Sequence, residues 1–292
     1  MRKFLNYVKP FLWLFLFTLA MNIQIFGQKI NLNKDSLSQP LTIKIMTQNV
    51  LFGGILDGET KPKPERAENL LNHFQKSGAD LFALTESYSM VTNEYWAEKL
   101  GYNVVYTGDD TKTQESWLKI GEYFAPTSII TSYEIIEREY FHFARSSIMA
   151  KLQVTPDQIV MIGLVHLWGK PDEQIADLTE MLAALEPFKG IYPIIVTGDF
   201  NAHSALDGPT EKNVDLMQLA YYWGLKDGYR VMHPDYQKDL GHTIKQKRID
   251  FILYLPDLLT PTFCDLTNDK TVPGGSKVSD HIGVLCNFQI KR

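Results

Sequence analysis

Two short strings in the second half of the chain hold residue types that do chemistry when brought together. They are Gly198-Asp199-Phe200-Asn201 and Ser279-Asp280-His281. An apolar run, Ile194-Ile195-Val196, leads into the first, so Asp199 and Asn201 should sit where a buried strand ends. A carboxylate, a carboxamide and an imidazole can together hold a hard cation, aim a water and steady an anionic phosphorus centre. The combination points to metal-assisted phosphoester hydrolysis.

Such groups must be carried to one place by the elements behind them, and the sequence repeats one device. Polar residues recur at the ends of apolar strands. Asn49 lies near the end of a strand over 42–50, Glu86 follows one over 80–85, and His166 closes one over 158–166. Asp250 lies in a strand over 249–254, and Asp280 with His281 precedes another over 282–290. Taken singly, a strand-end Asn or Asp reads as a turn former. Their joint order along one chain favours a shared site.

Further strands are expected over 102–106, 128–133, 134–141, 147–154 and 192–197. Pro64 opens a helix with Ala67, Leu70, Leu71 and Phe74 on one face and Gly78 in the stop position. Pro171 opens a second, with Ile175, Leu178, Leu182 and Leu185 aligned. Shorter helices are expected over 92–100, capped by Thr92, and over 214–223. Strands dominate, and the pattern predicts one α+β domain over 42–292, two packed sheets with helices outside.

The chain has 292 residues, 45% hydrophobic and 22% charged, which is enough apolar material for a large core. Arg2, Lys3 and Lys9 precede an apolar stretch from Phe11 to Ala20, and Gly27 offers a small residue for cleavage. That layout reads as a signal peptide over 1–27, favoured over an uncleaved membrane anchor because a span needs about 20 apolar residues. Residues 28–41 read as a polar leader, and the expected location is secreted or periplasmic. Cys264 and Cys286 could pair in an oxidising compartment. The apolar run around Cys286 favours two separate buried thiols. Cys/His clusters with zinc spacing are missing from the sequence. The net charge of −5 and the absence of a basic stripe argue mildly against nucleic acid as the main substrate.

In the strings Thr47-Gln48-Asn49-Val50, Leu84-Thr85-Glu86, Val165-His166-Leu167, Gly198-Asp199-Phe200-Asn201, Arg248-Ile249-Asp250-Phe251 and Ser279-Asp280-His281, the sequence resembles the endonuclease/exonuclease/phosphatase superfamily. The resemblance runs through the whole of the expected domain. It implies a four-layer α/β/β/α sandwich of two mostly antiparallel sheets with outer helices, the fold of deoxyribonuclease I. It implies Mg²⁺, with Mn²⁺ as a substitute, held by Glu86 with Asn49 close by and Asp280 completing the shell. Asp199 would orient or deprotonate the attacking water, with Asn201 bonding the water or a phosphate oxygen. His281 would contact the scissile phosphate, and Asp250 would orient it and keep it charged. His166 would be a second phosphate contact.

The chain also departs from the family pattern. Nucleases of the deoxyribonuclease I type pair the second histidine with a Glu that follows an Arg; here Arg145 is followed by Ser146-Ser147. That weakens a deoxyribonuclease reading and leaves Arg145 as a phosphate-side contact. A mid-fold Tyr of the repair nucleases could be Tyr106 or Tyr123. Arg230 and His242 are open between pocket lining and loop structure. Tyr102, Trp117, Phe124 and Trp168, with Tyr106 and Tyr123, are candidates for a lipid- or sugar-binding rim, though most aromatics belong in the core.

The expected function is that of a Mg²⁺-dependent phosphodiesterase or phosphatase. A small molecule or lipid head group is preferred over nucleic acid as substrate, and a monomer without an obligate protein partner is expected. The alternatives are a non-specific endonuclease acting on DNA or RNA, and a catalytically silent binding protein of the same fold.

Overall fold

The computed structural model describes residues 40–51, 64–87, 90–107, 126–208, 214–267 and 278–291. The expected signal segment and nearly all of the polar leader lie outside these, as do Trp117, Tyr123 and Phe124. Contacts gather Leu41–Arg292 into one compact unit.

Among the described residues, twelve strands form two six-stranded sheets. The first is built from β1 (Thr42–Asn49), β2 (Leu81–Thr85), β3 (Asn103–Tyr106), β4 (Ser128–Thr131), β11 (Leu259–Leu266) and β12 (Val284–Ile290), in the order β11-β12-β1-β2-β4-β3. The second holds β5 (Glu134–His142), β6 (Ser146–Thr155), β7 (Gln158–His166), β8 (Ile194–Asp199), β9 (Lys226–Asp227) and β10 (Asp250–Tyr254), in the order β5-β6-β7-β8-β10-β9. Most neighbours are antiparallel; β1 with β2 and β7 with β8 run parallel, their crossovers carrying helices.

The alternation of each strand sends one side to the space between the sheets. Ile43, Ile45 and Ala83 of the first sheet meet Ile148, Ala150, Ile162 and Ile252 of the second there. The other faces are covered by helices. Helices α1 (Pro64–Ser77) and α2 (Met90–Leu100) bury Leu70, Phe74 and Trp96 against Met46 and Phe82. Helices α3 (Pro171–Leu185) and α4 (Val214–Trp223) bury Leu178, Leu182 and Met217 against Val165, Val196 and Phe251. These three apolar layers make the four-layer sandwich that the resemblance implies. A short helix, α5 (Gly228–Met232), is capped by Asp227, whose Oδ1 accepts from the backbone N–H groups of Tyr229 and Arg230.

Strand β11 is not among the strands read from the sequence, and Pro261 stands inside it. Proline lacks a donor, and the fold tolerates it on the edge of the first sheet, next to a register shift between Pro261 and Phe263. That strand corrects the reading of the cysteines. Its register places Cys264 opposite Cys286 of β12, and the two form a disulfide rather than separate thiols. The apolar setting that suits a free thiol suits a buried half-cystine equally well. Among the described residues, no helix is long and apolar enough to cross a membrane.

Candidate active site

Register alone sets three of the polar groups in a row. In the parallel pair β7–β8, His166 lies beside Asp199, and in the antiparallel pair β8–β10, Asp250 lies beside Asp199. Asp199 is thus flanked by a histidine on one side and a carboxylate on the other, at the end of the second sheet. Close approach of β7 and β8 requires Gly198, which has φ +131°; a Cβ there would meet Val165 O at 1.9 Å. The first sheet contributes from across the sandwich. Asn49 ends β1 beside Thr85, Glu86 follows at φ +54°, and His281 precedes β12. Asn201 also has a left-handed backbone, φ +48°. Of four described non-glycine residues in this sparsely populated region, Leu51, Glu86, Asn201 and Lys245, two are expected site residues, which marks local strain where function is expected.

Asp199 is the meeting point. Its Oδ2 accepts from Asn49 Nδ2 at 3.1 Å and its Oδ1 from the Asn201 backbone N–H at 3.0 Å. Burial, and then the charge of Asp250, push the Asp199 carboxyl up to about 7, although His281 and the two hydrogen bonds pull the other way. Asn201 Nδ2 donates to Leu167 O at 2.9 Å, tying the strand end that carries His166 to the one that carries Asp199.

His281 and Asp250 form one side of the site. His281 Nδ1 lies 2.8 Å from Asp250 Oδ2, and both residues are buried. Burial alone would lower the imidazole pKa, but Asp250, with help from Asp199 and Asp280, outweighs it and pushes His281 up to about 10. The loop is held firmly: Gln48 Nε2 donates to His281 O at 2.9 Å, and Ser279 Oγ donates to Asn49 O at 2.6 Å. Thr243 Oγ1 accepts from Asp250 N at 3.3 Å, and Thr243 O accepts from Ile282 N at 2.6 Å, clamping strand and loop together.

His166 and Arg145 form the other side. Arg145 Nη1 lies 2.9 Å from His166 Nε2 and 3.0 Å from Glu86 Oε1. The Arg145 guanidinium sits 4.3 Å from the centre of the Trp168 ring, which is 51% exposed at the rim. Complete burial, then the charges of Arg145 and His281, hold His166 well below the usual histidine range.

Two donor sets could hold a cation. Asp199, Asp250 and His281 bring one ligand atom each to within 4.8 Å of one another. A charged imidazole, however, has no lone pair left to give. Glu86 and Asn49 offer a carboxylate and a carboxamide oxygen, the hard donors that Mg²⁺ prefers. Glu86 Oε2 has no partner among the described residues, and Asn49 Oδ1 takes a single hydrogen bond there, from Leu51 N at 3.0 Å. Asp280 is exposed and lies outside the three-residue cluster, yet its charge and that of Glu86 both reach Arg66. The Glu86, Asn49 and Asp280 set therefore fits a hard cation better than the cluster with His281.

The fold thus brings together Asn49, Glu86, Arg145, His166, Asp199, Asn201, Asp250 and His281, with Asp280 at the edge. It does not bring Arg230, which donates to Asp207 Oδ1 at 2.6 Å and to the carbonyls of His233, Asp239 and Leu240 in a separate buried ion network. Tyr106 is buried in its strand, and Tyr102 packs on Phe82. Half-buried His242 precedes Thr243 of the clamp. A residue the sequence reading missed is Arg66. It donates to Val50 O at 2.8 Å, Leu51 O at 2.7 Å and Val278 O at 2.9 Å, joining the segments that carry Asn49 and Asp280. The available signal was an arginine in the first turn of α1, where the helix dipole disfavours a cation.

The model described as the endonuclease/exonuclease/phosphatase family matches residues 46–281. No curated protein matches the chain. Among solved structures, a humanized Danio rerio TDP2 shares 18% identity, covers 85% of this chain and 99% of its own, and superposes with a TM-score of 0.63. The human Nocturnin catalytic domain with a bound sulfate anion shares 18% identity, covering 86% of this chain and 94% of its own at a TM-score of 0.62. An endonuclease/exonuclease/phosphatase family protein from Bacteroides thetaiotaomicron shares 16% identity, covering 87% and 99% at a TM-score of 0.62.

Proposed function

The chain belongs to the endonuclease/exonuclease/phosphatase family, and from that premise we propose that it is a secreted or periplasmic, Mg²⁺-dependent phosphoester hydrolase. The observation that carries this reading is Asp199, buried between Asn49 and Asn201 and flanked by a charged and a neutral histidine.

Each group has work that its setting suits. Asp199 is the base that takes a proton from the attacking water, and a carboxyl pushed up to about 7 is matched to that task near neutral pH. Its hydrogen bonds from Asn49 and Asn201 fix the carboxylate plane, so the water is aimed as well as activated. His281, kept charged by Asp250, faces the phosphoryl oxygens and can protonate the leaving alkoxide. Arg145 stabilises the phosphate from the opposite side. Glu86 and Asn49, with Asp280, would hold Mg²⁺, which when bound supplies a further positive charge against the phosphate. With a net charge of −5 the substrate is a small phosphoester or a lipid head group in preference to nucleic acid.

The test is hydrolysis of bis-p-nitrophenyl phosphate by the purified protein, with Mg²⁺ or Mn²⁺ and with EDTA. Activity should depend on the metal, and Asp199→Ala and His281→Ala should each lower kcat by roughly 10²–10⁴-fold with the fold retained. Unchanged rates in both variants would sink the mechanism. A panel of DNA, sphingomyelin, phosphoinositides and sugar phosphates identifies the alcohol.

A further inference from the structure

The bond between Arg145 and His166 has a direction. A guanidinium carries donors only, so at 2.9 Å it is His166 Nε2 that accepts. A neutral imidazole that accepts at Nε2 carries its proton at Nδ1. The other polar atoms near Nε2 do not compete, since Asp199 Oδ2 is 3.8 Å away and Glu86 Oε1 4.0 Å. Nor does Nδ1 find a carboxylate: it is buried without a hydrogen-bond partner. On the neighbouring strand, Ser147 Oγ accepts instead from the His166 backbone N–H, at 3.4 Å.

Arg145 is used unevenly. Nη1 alone makes the bonds to Glu86 Oε1 and His166 Nε2. Nε is buried without a partner, and Nη2 has none among the described residues. Nη2 is therefore the one guanidinium nitrogen that is neither bonded nor buried, and it is left to meet a phosphate oxygen. The Trp168 ring packs on the guanidinium and fixes its plane.

We propose that His166 is a positioning residue, an Nδ1-protonated acceptor that holds Arg145, and that the free Nη2 of Arg145 is what grips the substrate phosphate on this side. The proposal rests on the phosphoester reading of the site and reassigns the phosphate contact within it. Arginine takes the place of a histidine donor, and the histidine aims the arginine.

Long-range ¹H–¹⁵N NMR on the ¹⁵N-labelled wild-type protein reads the tautomer without turnover. The expected spectrum shows His166 protonated at Nδ1 and lone-paired at Nε2; a proton at Nε2 overturns the proposal. Kinetics give the second arm. His166→Gln keeps an acceptor for Arg145 and should stay within about ten-fold of wild-type kcat/KM, whereas His166→Phe should lose about a hundred-fold. Gln as inactive as Phe would mean that the imidazole itself transfers a proton, against the proposal. Titration with inorganic phosphate is the third arm: Arg145→Gln should abolish binding that His166→Gln retains, and equal affinity in the two overturns the Arg145 contact. If the wild type hydrolyses no ester, the phosphoester reading fails, while the NMR and phosphate titrations still decide this one.

Discussion

The two histidines of the site are both buried, yet the protein treats them in opposite ways. His281 faces Asp250 at 2.8 Å and is pushed up to about 10; His166 faces Arg145 at 2.9 Å and is held well below its ordinary range. Burial acts against the charged form in both, so the partner decides. One side of Asp199 therefore carries its positive charge on an imidazole, and the other carries it on a guanidinium. A mobile proton is available only on the first side. The second offers a permanent cation, as arginine does not deprotonate in proteins. This division suits a reaction in which one side must release a proton to a leaving group and the other need only hold the phosphate.

Removing the partner that makes the first side charged should have the largest effect. Asp250→Asn keeps a hydrogen-bonding side chain but takes away the charge that outweighs burial. We expect kcat to fall roughly 10²–10⁴-fold, with KM little changed, in steady-state assays. A loss under ten-fold would show that His281 does not depend on its carboxylate.

The second side should break through geometry. Arg145→Lys retains a cation but loses the planar guanidinium and cannot reach Glu86, His166 and a phosphate together. The expected loss in kcat/KM is on the order of a hundred-fold, mostly in KM. Trp168→Ala probes the same side more gently. A cation–π contact at a half-exposed ring is worth about 0.5–1 kcal/mol, so KM should rise only about two- to five-fold and Trp168→Phe should recover most of it.

Both sides rest on features that differ in how openly the sequence declares them. Asp199, Asp250 and His166 each close or open an apolar strand, so their places in the sheet followed from local pattern, and the register then aligned them. Arg145 was legible as a departure, an Arg without the following Glu, but its bonds to Glu86 and His166 come from chain segments far apart in sequence. No periodicity encodes those contacts. Arg66 stayed hidden because its partners are backbone carbonyls, which leave no mark in the side-chain sequence. The disulfide was open in the sequence and weighed against by the apolar run around Cys286, because the strand that brings Cys264 opposite Cys286 contains Pro261 and lacks the usual composition of a strand.

A third histidine isolates what burial and a neighbouring cation do without any catalytic role. His73 of α1 is lowered to about 4, by burial first and then by Lys76. Unlike His166, it is only half-buried, and its cation is a lysine on its own helix. In the unfolded chain a histidine titrates near 6.5. Below that pH the unfolded state takes up a proton that the folded state refuses, so stability should decline as pH falls from about 6.5 through about 4. Replacing His73 by Gln removes the titration. Melting temperatures measured from pH 7 to pH 4 should then fall less steeply in His73→Gln than in the wild type, with kcat unaltered at pH 7. Parallel curves would mean that burial and a nearby cation do not suffice to keep a histidine neutral in this fold.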